Sequence, residues 1–105
     1  KQLGADIVEL HTGRFYHEVA GRKAELSRIQ LAARHSARRG IETHAGHGLG
    51  FETVGSIAAI AEMKELNIGH FLIGESVFCG LEAAIVKIRH LMDAARNDDG
   101  HWKKA

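Results

Sequence analysis

Apolar residues along the chain follow two different spacings, and the alternation between them predicts three strands, each followed by a helix. Short apolar runs closed by glycine or by Thr-Gly predict strands at residues 6–11, 41–45 and 70–73. Apolar residues that recur every three or four positions predict helices at residues 22–39, 53–65 and 81–96, with Thr53 capping the second. The polar and aromatic segment 14–20 predicts a loop.

Strands that alternate with helices at this spacing predict an α/β fold with a parallel sheet. Three such units fit either part of a closed barrel or part of an open doubly wound sheet. The strands carry apolar residues on both faces, as expected where helices cover one face and a core fills the other. The chain is therefore interpreted as one domain or part of one. Residues 2–4 (QLG) are typical of a helix end, which indicates a start inside a fold.

The composition narrows the classes of partner. Hydrophobic residues make up 45% of the 105 residues and charged residues 26%, which is typical of a soluble globular protein. Fourteen basic and thirteen acidic residues leave a net charge of +1, so neither nucleic acid nor a membrane is expected as a partner. The single cysteine, Cys79, rules out an internal disulfide, is expected to be a packed thiol, and fits a cytoplasmic location.

Titratable residues stand beside glycines where the predicted strands end, which is where parallel α/β folds bind ligands. Glu9 lies inside an apolar run, so it is either a partly buried carboxylate that could stabilise a cationic intermediate or the partner of a basic residue. His11 shares its strand face. His47 stands between two glycines and could transfer a proton, although a loop histidine can also be merely solvated.

The glycines around these positions predict backbone amides that hold an anion, and they are Gly46, Gly48, Gly50, Gly69 and Gly74. Residues 75–78 could begin a short helix that contributes to this cradle. Neither the P-loop pattern nor G-x-G-x-x-G occurs. The histidines at 11, 44, 47 and 70 are candidate metal ligands. However, no H-x-H or H-E-x-x-H pattern is present, so no metal site is predicted.

Three segments together resemble the C-terminal part of the pyridoxine 5′-phosphate synthase family. They are residues 8–13 (VELHTG), 44–49 (HAGHGL) and 65–74 (ELNIGHFLIG), and the similarity extends over residues 4–96. The resemblance implies a (β/α)8 TIM barrel, of which this chain supplies the last three βα units. Residues 1–96 would then be the C-terminal portion of a single barrel domain, and residues 97–105 a frayed tail.

The resemblance also implies a reaction, the condensation of 3-amino-2-oxopropyl phosphate with 1-deoxy-D-xylulose 5-phosphate to pyridoxine 5′-phosphate, phosphate and water. No metal or organic cofactor is expected. By their positions in the matching segments, His47 corresponds to the proton donor and Glu9 to the carboxylate that stabilises the transition state. Gly48, Gly69 and His70 correspond to the residues that bind 3-amino-2-oxopropyl phosphate.

Two residues depart from the family pattern: His44 stands where asparagine is frequent, and Glu75 stands where a basic residue is common. Glu75 is expected to point away from the phosphate. The family's remaining proton acceptors and deoxyxylulose phosphate ligands come from N-terminal strands, so residues 1–105 alone are expected to be inactive.

Two other readings stay open. One is another phosphate-binding TIM-barrel enzyme, an isomerase or an aldolase, although no predicted strand end carries the lysine that an aldolase would need. The other is a non-catalytic half-barrel. Three βα units would leave open edges and an apolar face that another copy must cover, so a homo-oligomer is expected.

Overall fold

The computed structural model describes residues 4–17 and 19–96, which form three strands and five helices. The elements, in chain order, are β1 (Ile7–His11), α1 (Gly13–His17), α2 (Arg22–Arg38), β2 (Glu42–Gly46), α3 (Val54–Ala58), β3 (Met63–Asn67), α4 (His70–Cys79) and α5 (Leu81–Ala95). The fold is thus α/β, as predicted. None of the helices in these ranges is long and apolar enough to cross a membrane.

The strands form one parallel sheet in the order β1-β2-β3, so β2 is central. Glu9 is in register with His44, and His11 is in register with Gly46. On the other side of β2, Gly46 is in register with Asn67. The carboxyl ends of all three strands therefore meet at one edge of the sheet, which brings the loops that follow them together.

The hydrophobic core lies between one face of the sheet and helices α2, α3 and α5. Leu10, Ala45 and Leu66 contribute the strand side of this core. The helices contribute buried residues that include Ile29, Ala33, Val54, Ile57, Ile88 and Met92. Burying each of the larger side chains stabilises the fold by about 1.5–3 kcal/mol, which explains why the buried residues of α2 and α5 recur at helical spacing.

The opposite face of the sheet is polar, contrary to the expectation of apolar residues on both faces. Because strand side chains alternate, Glu9, His11, His44, Glu65 and Asn67 share this face. The His44 Nε2 atom lies 2.6 Å from Glu42 Oε2, and its Nδ1 atom lies 3.9 Å from Glu65 Oε1. Among the residues that the structure describes, this uncovered face therefore carries charge and hydrogen-bonding groups.

The third strand is the main difference from the predicted elements. It occupies Met63–Asn67, whereas residues 70–73, predicted as a strand, begin α4. Met63 is buried, while Lys64 is exposed. The apolar run at 70–73 has no periodicity that separates helix from strand, and Gly69 before it serves as the N-cap of α4. The second predicted helix is correspondingly short, because α3 ends at Ala58.

Three smaller predictions also need correction. Residues 13–17, mostly expected to be a loop, form the short helix α1, which Phe15 anchors in the core. Thr53 precedes α3, but its hydroxyl accepts a hydrogen bond from the Gly50 N–H at 3.0 Å instead of capping the helix. Cys79, expected to be packed, is exposed at the end of α4.

The first two predicted strands, the first helix and the last helix agree with β1, β2, α2 and α5 to within one or two residues. The helix end predicted at residues 2–4 falls mostly outside the described residues, and the tail predicted at 97–105 falls wholly outside them.

Candidate functional site

A pocket of about 530 Å³ opens at the carboxyl edge of the sheet. Its walls come from α1, from the loop after β2 and from the β3–α4 junction. The lining residues are Tyr16, His17, His47, Gly48, Leu49, Asn67, Ile68, Gly69, His70 and Phe71. Four of the five residues predicted for the site, namely His47, Gly48, Gly69 and His70, therefore surround one cavity.

Gly69 and His70 lie just after β3, at the carboxyl end of the strand. The sequence had predicted a strand at residues 70–73, directly after Gly69 and beginning with His70, and the earlier position of β3 corrects this. A Cβ atom built on Gly69 has no heavy atom within 4 Å among its neighbours, so the residue faces open space. The first N–H groups of α4 lie here without helical acceptors, and the helix dipole adds partial positive charge. This part of the pocket suits an anion.

His47 adopts a backbone conformation that is rare for a residue with a side chain. Its φ angle is 85°, and that of Gly48 is 74°. Thr12, which follows β1, contacts the carbonyl groups on both sides of the His47 Cα. Its hydroxyl lies 2.8 Å from the Gly46 carbonyl oxygen and 2.7 Å from that of His47. The turn that presents His47 to the pocket is thus tied to the end of the neighbouring strand.

The imidazole ring of His11 stacks on that of His47, with ring centroids 4.2 Å apart and planes inclined by 26°. The Gly13 N–H donates to His11 Nδ1 at 3.3 Å, which assigns the proton of a neutral His11 ring to Nε2. A Cβ atom on Gly13 would lie 2.6 Å from His11 Cε1 and 3.0 Å from His47 Cδ2. Glycine at position 13 therefore leaves the room that this ring pair needs.

Glu9 was expected to be partly buried, and it is exposed on the uncovered face of the sheet. Its Oε2 atom accepts a hydrogen bond from the side-chain amide of Asn67 at 2.5 Å. Asn67 lines the pocket, so Glu9 is joined to the pocket through this amide. A neutral amide is its partner here, whereas one reading of the sequence had expected a lysine or arginine.

The two residues that depart from the family pattern lie away from the pocket lining. His44 is buried beside Glu42, deeper along the polar face of the sheet. Glu75 lies in the second turn of α4 and does not line the pocket. Within the described ranges, no group of three or more His, Cys, Asp or Glu residues could hold a metal ion.

Sequence reasoning missed several residues of this site. Tyr16 and His17 lie on α1, and the Cβ of Tyr16 lies 3.2 Å from the position of a Cβ on Gly48. Phe71 packs edge-on against Phe51, with centroids 4.7 Å apart, and this contact fixes the start of α4. The only feature of the sequence that could have identified these residues is that they lie close to the motif residues along the chain. Nothing in their spacing distinguished them from ordinary packing.

The pocket combines proton-transfer groups with an anion site. Among the residues that the structure describes, its titratable lining residues are three histidines, His17, His47 and His70, together with Tyr16, and none of them is a carboxylate. An imidazole can give or take a proton near neutral pH, and its charged form attracts anions. A ligand with a phosphate group and a centre that needs proton transfer would match this arrangement.

Comparison with known proteins decides the family. The family model described as "Pyridoxal phosphate biosynthesis protein PdxJ" matches residues 1–94. The chain belongs to the PdxJ family. This membership confirms the resemblance predicted from the three sequence segments.

Relatives of the PdxJ family align over most of the chain. A pyridoxine 5′-phosphate synthase from Zymomonas mobilis is 55% identical over 100 residues, which are 94% of this chain and 39% of the relative. Those from Jannaschia sp. and Rhodospirillum rubrum are 52% and 54% identical, over 90% of this chain and 40% and 39% of their own lengths. The chain thus spans about two fifths of the length of these curated relatives.

Proposed function

We propose that this chain is the C-terminal part of a pyridoxine 5′-phosphate synthase, in which residues 1–96 form the last three βα units of a (β/α)8 barrel. Two features of the described residues support the barrel. Strands β1 and β3 each pair with one neighbour, β2, and so have an edge available for further strands. The polar face of the sheet would line the barrel interior near the active site.

One observation carries the proposed activity: the pocket brings His47, the Asn67–Glu9 pair and the Gly69–His70 helix start together at the carboxyl edge of a parallel sheet. These residues come from three different βα units. TIM-barrel enzymes place their active sites at this edge. The residues also lie in the segments that resemble the family, which supports the proposal of a site here.

In this proposal the phosphate of 3-amino-2-oxopropyl phosphate binds at the start of α4. The N–H groups after Gly69 and the His70 side chain would donate to its oxygens. Gly48, with its φ of 74°, would bring the backbone close to the same substrate. This assignment needs no metal and no organic cofactor, since backbone amides and imidazoles supply the donors.

The condensation joins the amine of one substrate to the ketone of 1-deoxy-D-xylulose 5-phosphate, and phosphate and water leave. His47, on the pocket wall, would act as general acid and protonate a leaving group. The Glu9 carboxylate would stabilise the positive charge that develops when the new C=N bond is protonated. The remaining proton acceptors and the deoxyxylulose phosphate ligands would come from N-terminal strands, so residues 1–105 alone would not turn over.

The test is an assay of the intact gene product with both phosphorylated substrates, following pyridoxine 5′-phosphate by chromatography. His47→Asn should lower kcat by about 100-fold or more, the usual size of a general-acid effect, with the fold intact by circular dichroism. His90→Asn, on the exposed side of α5, is the matched control and should turn over normally. Wild-type turnover in His47→Asn would contradict the proton-donor role.

The two other readings make different predictions for the same assay. Another phosphate-binding barrel enzyme would use a different substrate pair, and no lysine lies at the carboxyl end of a described strand to serve an aldolase. A non-catalytic half-barrel would form oligomers of the 105-residue chain without turnover, which sedimentation velocity would detect. For the enzyme we propose a cytoplasmic homo-oligomer that acts on small phosphorylated molecules and binds neither nucleic acid nor membranes.

A further inference from the structure

We propose that Thr12 is a positioning residue for His47: its buried hydroxyl holds the backbone of His47 in the left-handed conformation that presents the imidazole to the pocket. The inference rests on the proposed role of His47 as proton donor. It adds a residue that contacts no pocket surface and that acts only through the backbone of another.

The contacts of Thr12 converge on two successive carbonyl groups. Thr12 is fully buried, and its backbone N–H donates to the Gly46 carbonyl at 2.9 Å. Its hydroxyl lies 2.8 Å from that same carbonyl oxygen and 2.7 Å from the carbonyl oxygen of His47. A hydroxyl has one proton to donate. The Gly46 carbonyl already accepts a hydrogen bond from the backbone N–H of Thr12. We therefore assign the hydroxyl proton of Thr12 to a hydrogen bond with the His47 carbonyl.

The carbonyl of His47 belongs to a residue whose backbone conformation is intrinsically unfavourable. At a φ of 85°, the Cβ of His47 crowds its own backbone, and such a conformation persists only when its surroundings determine it. Thr12 holds the two carbonyls from the segment after β1, 34 and 35 residues away in sequence, with its backbone N–H on Gly46 and its hydroxyl on His47. These hydrogen bonds fix both peptide groups that flank the His47 Cα, and so they fix the direction of its side chain.

The neighbouring residue, His11, orients the same histidine from a second side. Its ring stacks on the His47 ring, and its Nδ1 atom is held by the Gly13 N–H. The segment 11–13 therefore determines both the backbone of His47, through Thr12, and the plane of its imidazole, through His11. Loss of the Thr12 hydroxyl should leave the stack in place only if the backbone of His47 stays where it is.

The test compares Thr12→Val, which removes the hydroxyl at nearly constant volume, with Thr12→Ser, which keeps it, in the intact gene product. For Thr12→Val we expect kcat to fall about tenfold, the usual effect of one lost hydrogen bond, with KM for 3-amino-2-oxopropyl phosphate unchanged within about twofold. Thr12→Ser should recover most of the lost kcat. A purely packing role would give the reverse order, because valine fills the site and serine does not.

A second measurement reports on His47 directly. The imidazole signals of His47, assigned with His47→Asn in histidine-labelled protein, should move in Thr12→Val and return in Thr12→Ser. If Thr12→Val does not fold, Thr12→Cys, which keeps a weak donor, should give the same shift at smaller size. Unchanged His47 signals in every folded variant that lacks the hydroxyl, or equal kcat in the valine and serine variants, would overturn the proposal.

These outcomes separate the two proposals. If His47→Asn lowers kcat and Thr12→Val does not, the role of Thr12 is wrong and that of His47 stands. If His47→Asn turns over normally while the His47 signals move in Thr12→Val, the proton donor is wrong and the backbone contact is right.

Discussion

The side-chain amide of Asn67 donates a hydrogen bond to the carboxylate of Glu9, although the two residues lie on strands that are not neighbours. Gly46 of the central strand lies between them, in register with Asn67. A Cβ atom at position 46 would lie 3.1 Å from Asn67 Cβ and 3.2 Å from Glu9 Oε2. The missing side chain on β2 is thus what allows β1 and β3 to share a hydrogen bond.

Substitution of Asn67 should impair catalysis by releasing Glu9. We expect Asn67→Ala in the intact gene product to lower kcat about tenfold, as for loss of one hydrogen bond to a charged group. Asn67→Asp should lower it further, because two carboxylates would then face each other at neutral pH. Steady-state kinetics of the three proteins measures this order. An Asp variant as active as the wild type would show that Glu9 does not depend on this amide.

Substitution of Gly46 by alanine tests the same contact from the central strand. The φ angle of Gly46 is not in the left-handed region, so the added methyl group acts by crowding Asn67 and Glu9. We expect a loss of stability of about 1–3 kcal/mol, typical of overpacking, and a fall in kcat like that of Asn67→Ala.

The matched control is Gly55→Ala, within α3, where a Cβ would meet open space. This change should raise stability by about 0.5–1 kcal/mol without loss of turnover. Urea denaturation and the turnover assay, run on both variants, give the comparison. Normal turnover in Gly46→Ala would mean that the pair at Glu9 and Asn67 tolerates displacement.

Alanine at position 69 should weaken phosphate binding while it leaves the fold intact. Gly69 has a φ of −134°, outside the left-handed region that favours glycine, and its Cβ would enter open space beside the pocket. We expect the KM for 3-amino-2-oxopropyl phosphate to rise about tenfold, because the methyl group displaces the phosphate from the N–H groups of α4.

Gly74→Ala, within the same helix and also facing open space, separates this steric effect from a change in the helix itself. It should leave KM unchanged. Binding of inorganic phosphate, measured for both variants by titration calorimetry, checks the result without any turnover. Equal KM values in Gly69→Ala and the wild type would place the phosphate elsewhere.

Arg96 should matter for stability and not for catalysis. Its guanidinium donates to the carbonyl groups of Ala58, Ile60 and Met63, which extend from the last residue of α3 to the first residue of β3. Arg96→Ala leaves these carbonyls without that donor, and we expect a loss of about 2–4 kcal/mol in the free energy of unfolding. Arg34→Ala, on the exposed side of α2, should change it by less than about 0.5 kcal/mol. Chemical denaturation of both variants measures the difference.

Local pattern predicted most of the fold. The helices α2 and α5 carry regular apolar stripes, and β1 and β2 are bounded by glycine or Thr-Gly, so each was placed to within one or two residues. The segment from Met63 to His70 was misplaced because its apolar residues are few and the run that follows them is equally compatible with a helix. Packing of Met63 and Leu66 against the core decides the strand, and such contacts are not visible in a short window of sequence.

The sequence predicted the motif residues of the candidate site but not the side-chain contacts that connect them. His47, Gly48, Gly69 and His70 line one pocket, and Glu9 reaches it through Asn67. Thr12 and Asn67 were not singled out, because their importance comes from contacts with residues 34 to 58 positions away. Residue type alone does not identify such positions, because threonine and asparagine are common near strand ends.

Because the backbone at position 47 is left-handed, selection for a stable fold and selection for activity favour different residues there. In a library of all residues there, sorting for folded protein should enrich glycine and asparagine, which tolerate this conformation best. Growth of cells that must make their own vitamin B6 with the intact enzyme should instead retain histidine. The difference between the two enrichment profiles would measure, residue by residue, how much of the preference at this position belongs to chemistry.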